Sequence, residues 1–319
     1  MSEISISFDG RDPAEVVLAK TEVAMRQGAG SIWLACHLFQ RDPVSTAGIL
    51  LSRFPGCRIV LVALSPYVLH PVYIAMTAAT LNEFFPGRVS LCLGVGAPAD
   101  LANAGIPSAA PLATMREAIE VCRALFEGGT VQADGKRFQV RNQSLATGRQ
   151  DIPILLAASG PKMLQLAGSD ADGVVLSAGT SVEFAGWCLE LVEAGGVSEA
   201  FQHHAFVYAA AAENATVAYD SVRRLLAIVL RGGHHARNLE LAGNSLDQNA
   251  VSMAIAAGDM AGAERYISDR IVETHTAAGT PEILLARLDA YRAAGIDNLV
   301  LASMRTPEQV DAVLSAATG

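Results

Sequence analysis

Residues 152–179 read IPILLAASGPKMLQLAGSDADGVVLSAG, and their punctuation sets the fold. Ile154–Ala157 is a short, uniformly apolar run, the length of a strand covered on both faces. A turn of small residues, Ala158, Ser159 and Gly160, leads straight into Pro161. Proline is tolerated at the first position of a helix, so a helix is predicted over residues 161–167. Ala171, Asp172 and Gly173 then stop the pattern, and residues 174–176 form a second short apolar run. Two strands joined by a helix run parallel, with a right-handed crossover.

The same alternation extends in both directions. Upstream, strands are predicted at residues 4–8 (ISISF), 31–34 (SIWL), 59–64 (IVLVAL) and 89–93 (VSLCL), with helices at 13–27, 43–53, 71–85 and 114–126. Downstream, a helix over 182–193 precedes a strand at 205–210. A helix capped by Gly279, Thr280 and Pro281 then leads to a strand at 299–302 and a closing helix at 307–317. Residues 128–151 lack periodicity and read as an insertion or small hairpin; residues 214–278 read as a helical excursion without a strand. Eight strands alternating with helices place the chain in the α/β class. A doubly wound sheet shares this local signature, but eight strands reaching both ends favour a closed (β/α)8 TIM barrel. No linker rich in Pro, Gly or Ser divides the sequence, so residues 1–319 are expected to form one domain.

Bulk properties exclude several classes. Hydrophobic residues make up 51% of the chain and charged ones 17%, without charge blocks, which argues against disorder. A net charge of -9 disfavours a nucleic-acid partner, whose phosphates need clustered cations. The opening MSEISISFDG lacks a signal-peptide pattern, and residues 58–79, the longest apolar candidate, are broken by Pro66, His70 and Pro71. Cys36, Cys57, Cys92, Cys122 and Cys188 are odd in number and lack C-x-x-C spacing. They read as free thiols in a reducing compartment. The expectation is a cytoplasmic protein without membrane or nucleic-acid partners.

In a barrel, reactive groups sit just past the strands. His37 follows the second strand, where an imidazole can donate a hydrogen bond to a ring carbonyl or exchange a proton. An ordinary loop histidine fits the position equally. Ser65 ends the third strand. Gly94 and Gly96 end the fourth, where missing side chains let a flat ligand approach the backbone. They are no dinucleotide fingerprint, since Ala99 occupies the third glycine position. Ser159, Gly160 and Lys162 open a helix whose N–H groups and dipole suit a phosphate, although a simple capped turn has the same sequence and barrels commonly bind phosphate after later strands. The pairs His203–His204 and His234–His235 read as core or surface histidines rather than metal ligands. The apolar residues 225–230 and 250–257 read as packing or dimer surface.

Four stretches carry a family resemblance: residues 24–37 (AMRQGAGSIWLACH), 70–96 (HPVYIAMTAATLNEFFPGRVSLCLGVG), 152–179 and 278–302. They resemble the bacterial luciferase-like superfamily, and most of all its coenzyme F420 branch, which includes methylenetetrahydromethanopterin reductases. The resemblance implies an oxidoreductase barrel with the ring of F420 or FMN over the third and fourth strands. Ser65, Gly94 and Gly96 would lie near the ring, with His37 as catalytic residue. Ser159 and Gly160, with the neighbouring backbone, would hold the phosphate, and Ser177, Ala178 and Gly179 would line the same side. A small organic substrate would exchange hydride with the ring, and a homodimer is implied.

The departures concern acids. Cys36 stands where an aspartate often precedes the histidine, Ser7 where the reductase branch has an acid, and Ala97–Pro98–Ala99 where some dehydrogenases have glutamate. The obvious proton donor is thereby removed, leaving Asp9, Asp100 and Asn103 as substitutes. An FMN monooxygenase, a degenerate barrel without turnover and a non-redox phosphate-binding barrel stay open as alternatives.

Overall fold

A computed structural model describes residues 3–318. Its strands are β1 (Glu3–Phe8), β2 (Ile32–Ala35), β3 (Ile59–Leu64), β4 (Val89–Leu93), β5 (Val131–Asp134), β6 (Gln139–Gln143), β7 (Ile154–Ala157), β8 (Gly173–Leu176), β9 (Gln202–Ala211), β10 (Ala277–Gly279) and β11 (Asn298–Ala302). The parallel ring runs β1-β2-β3-β4-β7-β8-β9-β11. It closes where β11 pairs with β1, Leu299 opposite Ile4, and β8 pairs with β9, Val174 opposite His203. These pairings exclude the doubly wound sheet. The eight ring strands are those predicted from the apolar runs.

Two features lie outside the ring. β5 and β6 form an antiparallel hairpin, one of the two readings of residues 128–151. The expectation of a strandless stretch over 214–278 is corrected by β10, which pairs with Ala209, Ala210 and Ala211 of β9. β9 has ten residues against four to six in the other ring strands, so its upper part overshoots the barrel. The projecting N–H and C=O groups need a partner, and Ala277, Ala278 and Gly279 supply it.

Caps fix where helices begin. Asp42 accepts from Ser45 N at 2.6 Å before Pro43–Arg53, and His70 Nδ1 accepts from Val72 N at 3.2 Å before Pro71–Phe84. Both helices carry proline at the first turn, as the sequence indicates.

The barrel interior is packed. Trp33, Val62, Cys92, Leu155 and Val300 fill it, and Phe206 meets Trp33 edge-on at 5.6 Å. Lower down, Trp33 Nε1 donates to Ser31 Oγ at 3.0 Å, which is 2.9 Å from Ser5 Oγ. His203 and His204 lie on opposite faces of β9. His204 enters the barrel 5.0 Å from Trp33, while His203 Nδ1 pairs with Asp297 at 3.1 Å. Burial pushes His204 down to about 4 and keeps it neutral.

The helical excursion has its own core, including Val222, Leu226, Leu230, Val251 and Ile271. The run at 225–230 therefore serves mainly as packing, whereas the run at 250–257 buries Val251 and leaves Met253 73% exposed. Large exposed apolar side chains also stand on Pro43–Arg53 and Pro71–Phe84: Ile49 (58% exposed), Tyr73 (53%) and Phe84 (73%). Tyr208 and Ala210 of β9 pack against the excursion's core, so the excursion overhangs that side of the barrel's C-terminal mouth. No helix among the described residues is long and apolar enough to cross a membrane.

Candidate active site

The first cluster at the mouth comes from β2, β3 and β4. Cys36 N donates to Val62 O at 2.6 Å, holding the chain beyond β2 against β3. His37 follows, and its Nδ1 lies 3.7 Å from Asp100 Oδ2. Asp100 sits in the first turn of a short helix, Pro98–Asn103, which the sequence reading does not anticipate. Asp100 thus places a carboxylate beside His37, whereas positions 36 and 99 hold Cys and Ala. Asn103 is exposed at the far end of that helix.

The glycines have physical reasons. A Cβ on Gly94 would lie 2.7 Å from the Ala63 Cβ and 3.3 Å from the Ala157 Cβ, so a side chain has no room. Gly96 has φ +94°, a conformation that side chains resist. Ser65 Oγ donates to Val95 O at 2.8 Å and accepts from Tyr67 N at 3.3 Å. Its hydroxyl therefore holds the segment between the glycines in place. The Val62–Ala63 peptide next to this site is cis.

The second cluster follows β7 and β8. Ala158 N donates to Val175 O at 3.1 Å, tying the two strand ends together. Gly160 begins the helix Pro161–Asp170, and no side chain caps it. A Cβ on Gly160 would meet nothing within 4 Å. Open N–H groups facing open space, with Lys162 exposed on the first turn, fit an anion. The loop of Ser177, Ala178 and Gly179 is fixed from behind. Asn238 Nδ2 and His275 Nδ1 donate to Gly179 O at 2.7 and 2.8 Å, and Tyr291 donates to Thr180 O at 2.6 Å. Burial pushes His275 down to about 4, so it is neutral with Nδ1 as its donor. Because β4 pairs with β7, the two clusters adjoin.

The remaining sector, from β9, β11 and β1, surrounds Asp9 with groups that sequence reasoning missed. Arg305 reaches Asp9 at 2.9 and 3.0 Å, and Arg11 Nη1 reaches it at 2.8 Å. Burial would raise this carboxyl, but the Arg11 backbone bond and the Arg305 charge outweigh it and hold Asp9 below the usual range. Asp9 is thus a fixed anion, not a proton donor. Lys20, 1% exposed, donates to Asp12 and to Met304 O, each at 2.7 Å. Arg305 and Met304 follow the last ring strand and Asp9 and Asp12 the first, so only barrel closure makes this cluster.

A cleft of about 550 Å3 lies elsewhere, between Pro71–Phe84 and the hairpin. Arg141 is its one titratable lining residue, and the other polar groups there are the neutral Thr80, Gln139, Gln143, Ser144 and Thr147.

The fold and the polar groups gathered past its strands define the class, a (β/α)8 barrel with its candidate chemistry at the C-terminal mouth. The sequence profile of the luciferase-like monooxygenases matches residues 9–298, and the chain belongs to that family. It is 29% identical over 301 residues to the 5,10-methylenetetrahydromethanopterin reductase of Archaeoglobus fulgidus, covering 90% of this chain and 89% of the relative. Among solved structures, the coenzyme F420-dependent tetrahydromethanopterin reductase of Methanopyrus kandleri superposes with a TM-score of 0.91 at 21% identity, over 99% of this chain and 98% of that one. An F420-dependent secondary alcohol dehydrogenase, in complex with an F420-acetone adduct, superposes at 0.81 with 18% identity, each chain 99% covered. At these identities the superpositions establish the fold alone.

Proposed function

We propose that this chain is an oxidoreductase that binds coenzyme F420 at the barrel mouth and passes hydride between it and a small organic substrate. The observation carrying this reading is the His37–Asp100 pair, at 3.7 Å, beside the glycine-lined end of β4. Gly94 and Gly96 leave the backbone bare for a flat ring. Ser159, Gly160 and Lys162 offer backbone donors and a cation to its phosphate, and Ser177, Ala178 and Gly179 line the same side. When bound, the ring supplies or accepts the hydride. His37 stands where a proton can be exchanged beside it, with the Asp100 carboxylate 3.7 Å from its Nδ1. The barrel's contribution is orientation and exclusion of water. The F420-dependent reductase of Methanopyrus kandleri, matched along nearly all of both chains, supports F420 over FMN.

In the same reading the barrel and excursion act as one domain in the cytoplasm, as a homodimer joined through Pro43–Arg53 and Pro71–Phe84. The exposed Ile49, Tyr73 and Phe84 support that face. Light scattering of the purified protein checks the mass. A structural neighbour, a Baeyer-Villiger monooxygenase in complex with FMN, supports FMN as the second reading. Titration with F420 and with FMN, followed by fluorescence, decides between them. Tight F420 and weak FMN binding is expected. The reverse would favour the monooxygenase, and binding of neither would overturn the redox reading.

A further inference from the structure

In the loop after β8, three carbonyl groups are already taken up by donors. Thr180 Oγ1 donates to Ser177 O at 2.8 Å, Asn238 and His275 donate to Gly179 O, and Tyr291 donates to Thr180 O. Asn238 also accepts. Its Oδ1 takes Ser181 N at 2.9 Å while its Nδ2 reaches Gly179 O at 2.7 Å. One side-chain amide thus makes the two bonds that a neighbouring strand would make. Asn238 and His275 are both 0% exposed, and both belong to the helical excursion. So do Val229 and Leu226, which stand 3.3 and 3.6 Å from where a Cβ on Gly179 would lie. The excursion therefore covers the back of this loop.

The N–H groups of the same loop are in the opposite condition. Those of Ala178, Gly179 and Thr180 have no acceptor among the described residues. Gly179 is buried and Thr180 is 2% exposed, and unpaired N–H groups on buried residues are rare. A trans peptide sets the N–H of one residue opposite the C=O of the residue before it. The Gly179 C=O points into the excursion, so the Thr180 N–H points away from it, back across the loop. The excursion packs on the β9 side of β8, and the turn of Ser159 and Gly160 lies on the β7 side. That turn has free N–H groups as well, ahead of the helix Pro161–Asp170.

We propose that Asn238 and His275 are positioning residues: by holding the Gly179 carbonyl from behind, they present the Thr180 N–H and its neighbours to the phosphate of the bound cofactor. This rests on the cofactor reading above, and it gives the helical excursion a task. Neither side chain touches the cofactor, and neither lends it a charge. Without their bonds the Gly179–Thr180 peptide is free to turn over and set its carbonyl dipole toward the anion, which reverses the sign of the interaction. The discrimination they supply is between a cofactor that carries phosphate and the same ring without it, not between one ring and another.

The test titrates the full-length protein, by fluorescence, with F420 and with its deazaflavin ring and ribityl chain lacking the phosphate. Asn238→Leu keeps the side chain's shape and removes both hydrogen bonds. His275→Leu removes one donor, and His275→Asn keeps a donor near the place of Nδ1. The two leucine variants should each bind F420 about tenfold more weakly and the phosphate-free ligand within about twofold of wild type. His275→Asn should recover most of the F420 affinity. If Asn238→Leu does not fold, the two His275 variants decide alone. An equal loss for both ligands, as a loosened fold would give, or no loss at all overturns the positioning role. If F420 does not bind, FMN against riboflavin replaces the pair: a tenfold drop in that ratio in the leucine variants overturns the F420 reading and keeps the positioning role. If no flavin binds, the cofactor reading falls, and line broadening of inorganic phosphate in 31P NMR decides the rest. Broadening by wild type that the leucine variants lose keeps the role, and broadening that is absent or unchanged overturns it.

Discussion

The two sides of the barrel mouth are built on opposite plans. From β2 round to β8 the rim is made of what is missing: glycines at 94, 96, 160 and 179, an uncapped helix start, and a serine that braces backbone. From β9 through β11 to β1 it is made of side chains, with Asp9, Asp12, Lys20 and Arg305 locked in ion pairs beside Tyr208. A flat anionic ligand needs bare backbone and free N–H groups. Shape and proton placement need rigid side chains. Each side's sensitivity to mutation should follow its plan.

The largest effect is expected on the side-chain half. Asp12→Ala leaves Lys20 buried without its carboxylate and should lower unfolding free energy by about 3–5 kcal/mol, read from urea midpoints. A change under about 1 kcal/mol would show that water reaches Lys20 and that this half is not locked. Acid comes next, and acts behind the bare half. The folded pKa of His275 is depressed to about 4 from an ordinary 6.5, so the unfolded chain binds the proton more readily. Its contribution is complete above pH 6.5, shrinks as pH falls toward 4 and amounts to about 3 kcal/mol when lost. Melting temperatures of wild type and His275→Gln between pH 7 and 4 should converge at the acid end; parallel curves would remove this histidine as the cause.

His37→Ala should cost turnover about a hundredfold, or roughly 2.7 kcal/mol, with cofactor affinity kept within about threefold. A matching loss of affinity would make the histidine a binding group. The smallest effects separate the two glycine types. Gly94→Ala brings a methyl to 2.7 Å from Ala63 and should destabilise by about 1–3 kcal/mol. Gly160→Ala should be almost silent, because its Cβ meets nothing within 4 Å and its φ of -94° suits any residue. Gly160→Asp should weaken F420 about tenfold through charge alone, in a calorimetric titration at low salt. If Gly160→Ala and Gly160→Asp behave alike, no phosphate sits there.

The sequence makes the ring legible because each inner strand is covered on both faces. IVLVAL at 59–64 and the proline at 161 mark strand and helix without help from the rest of the chain. Ala277–Gly279 escapes because three small residues carry no apolar period; the overshoot of β9 decides their state. The glycine pair and the uncapped turn at Gly160 can be singled out because their chemistry is local. The Asp100 contact to His37 could not, since residues 37 and 100 meet only through the order of β2, β3 and β4.

The pairing that closes the ring, residues 3–6 against 298–301, has a consequence for how the protein is made. On a ribosome adding about 5–20 residues per second, the first strand waits roughly 15–60 seconds for the last one. Through that interval the nascent chain carries an unclosed sheet with two open edges and an unsealed apolar lumen. Its handling by chaperones during synthesis, more than the stability of the finished barrel, would then set how much active protein a cell obtains.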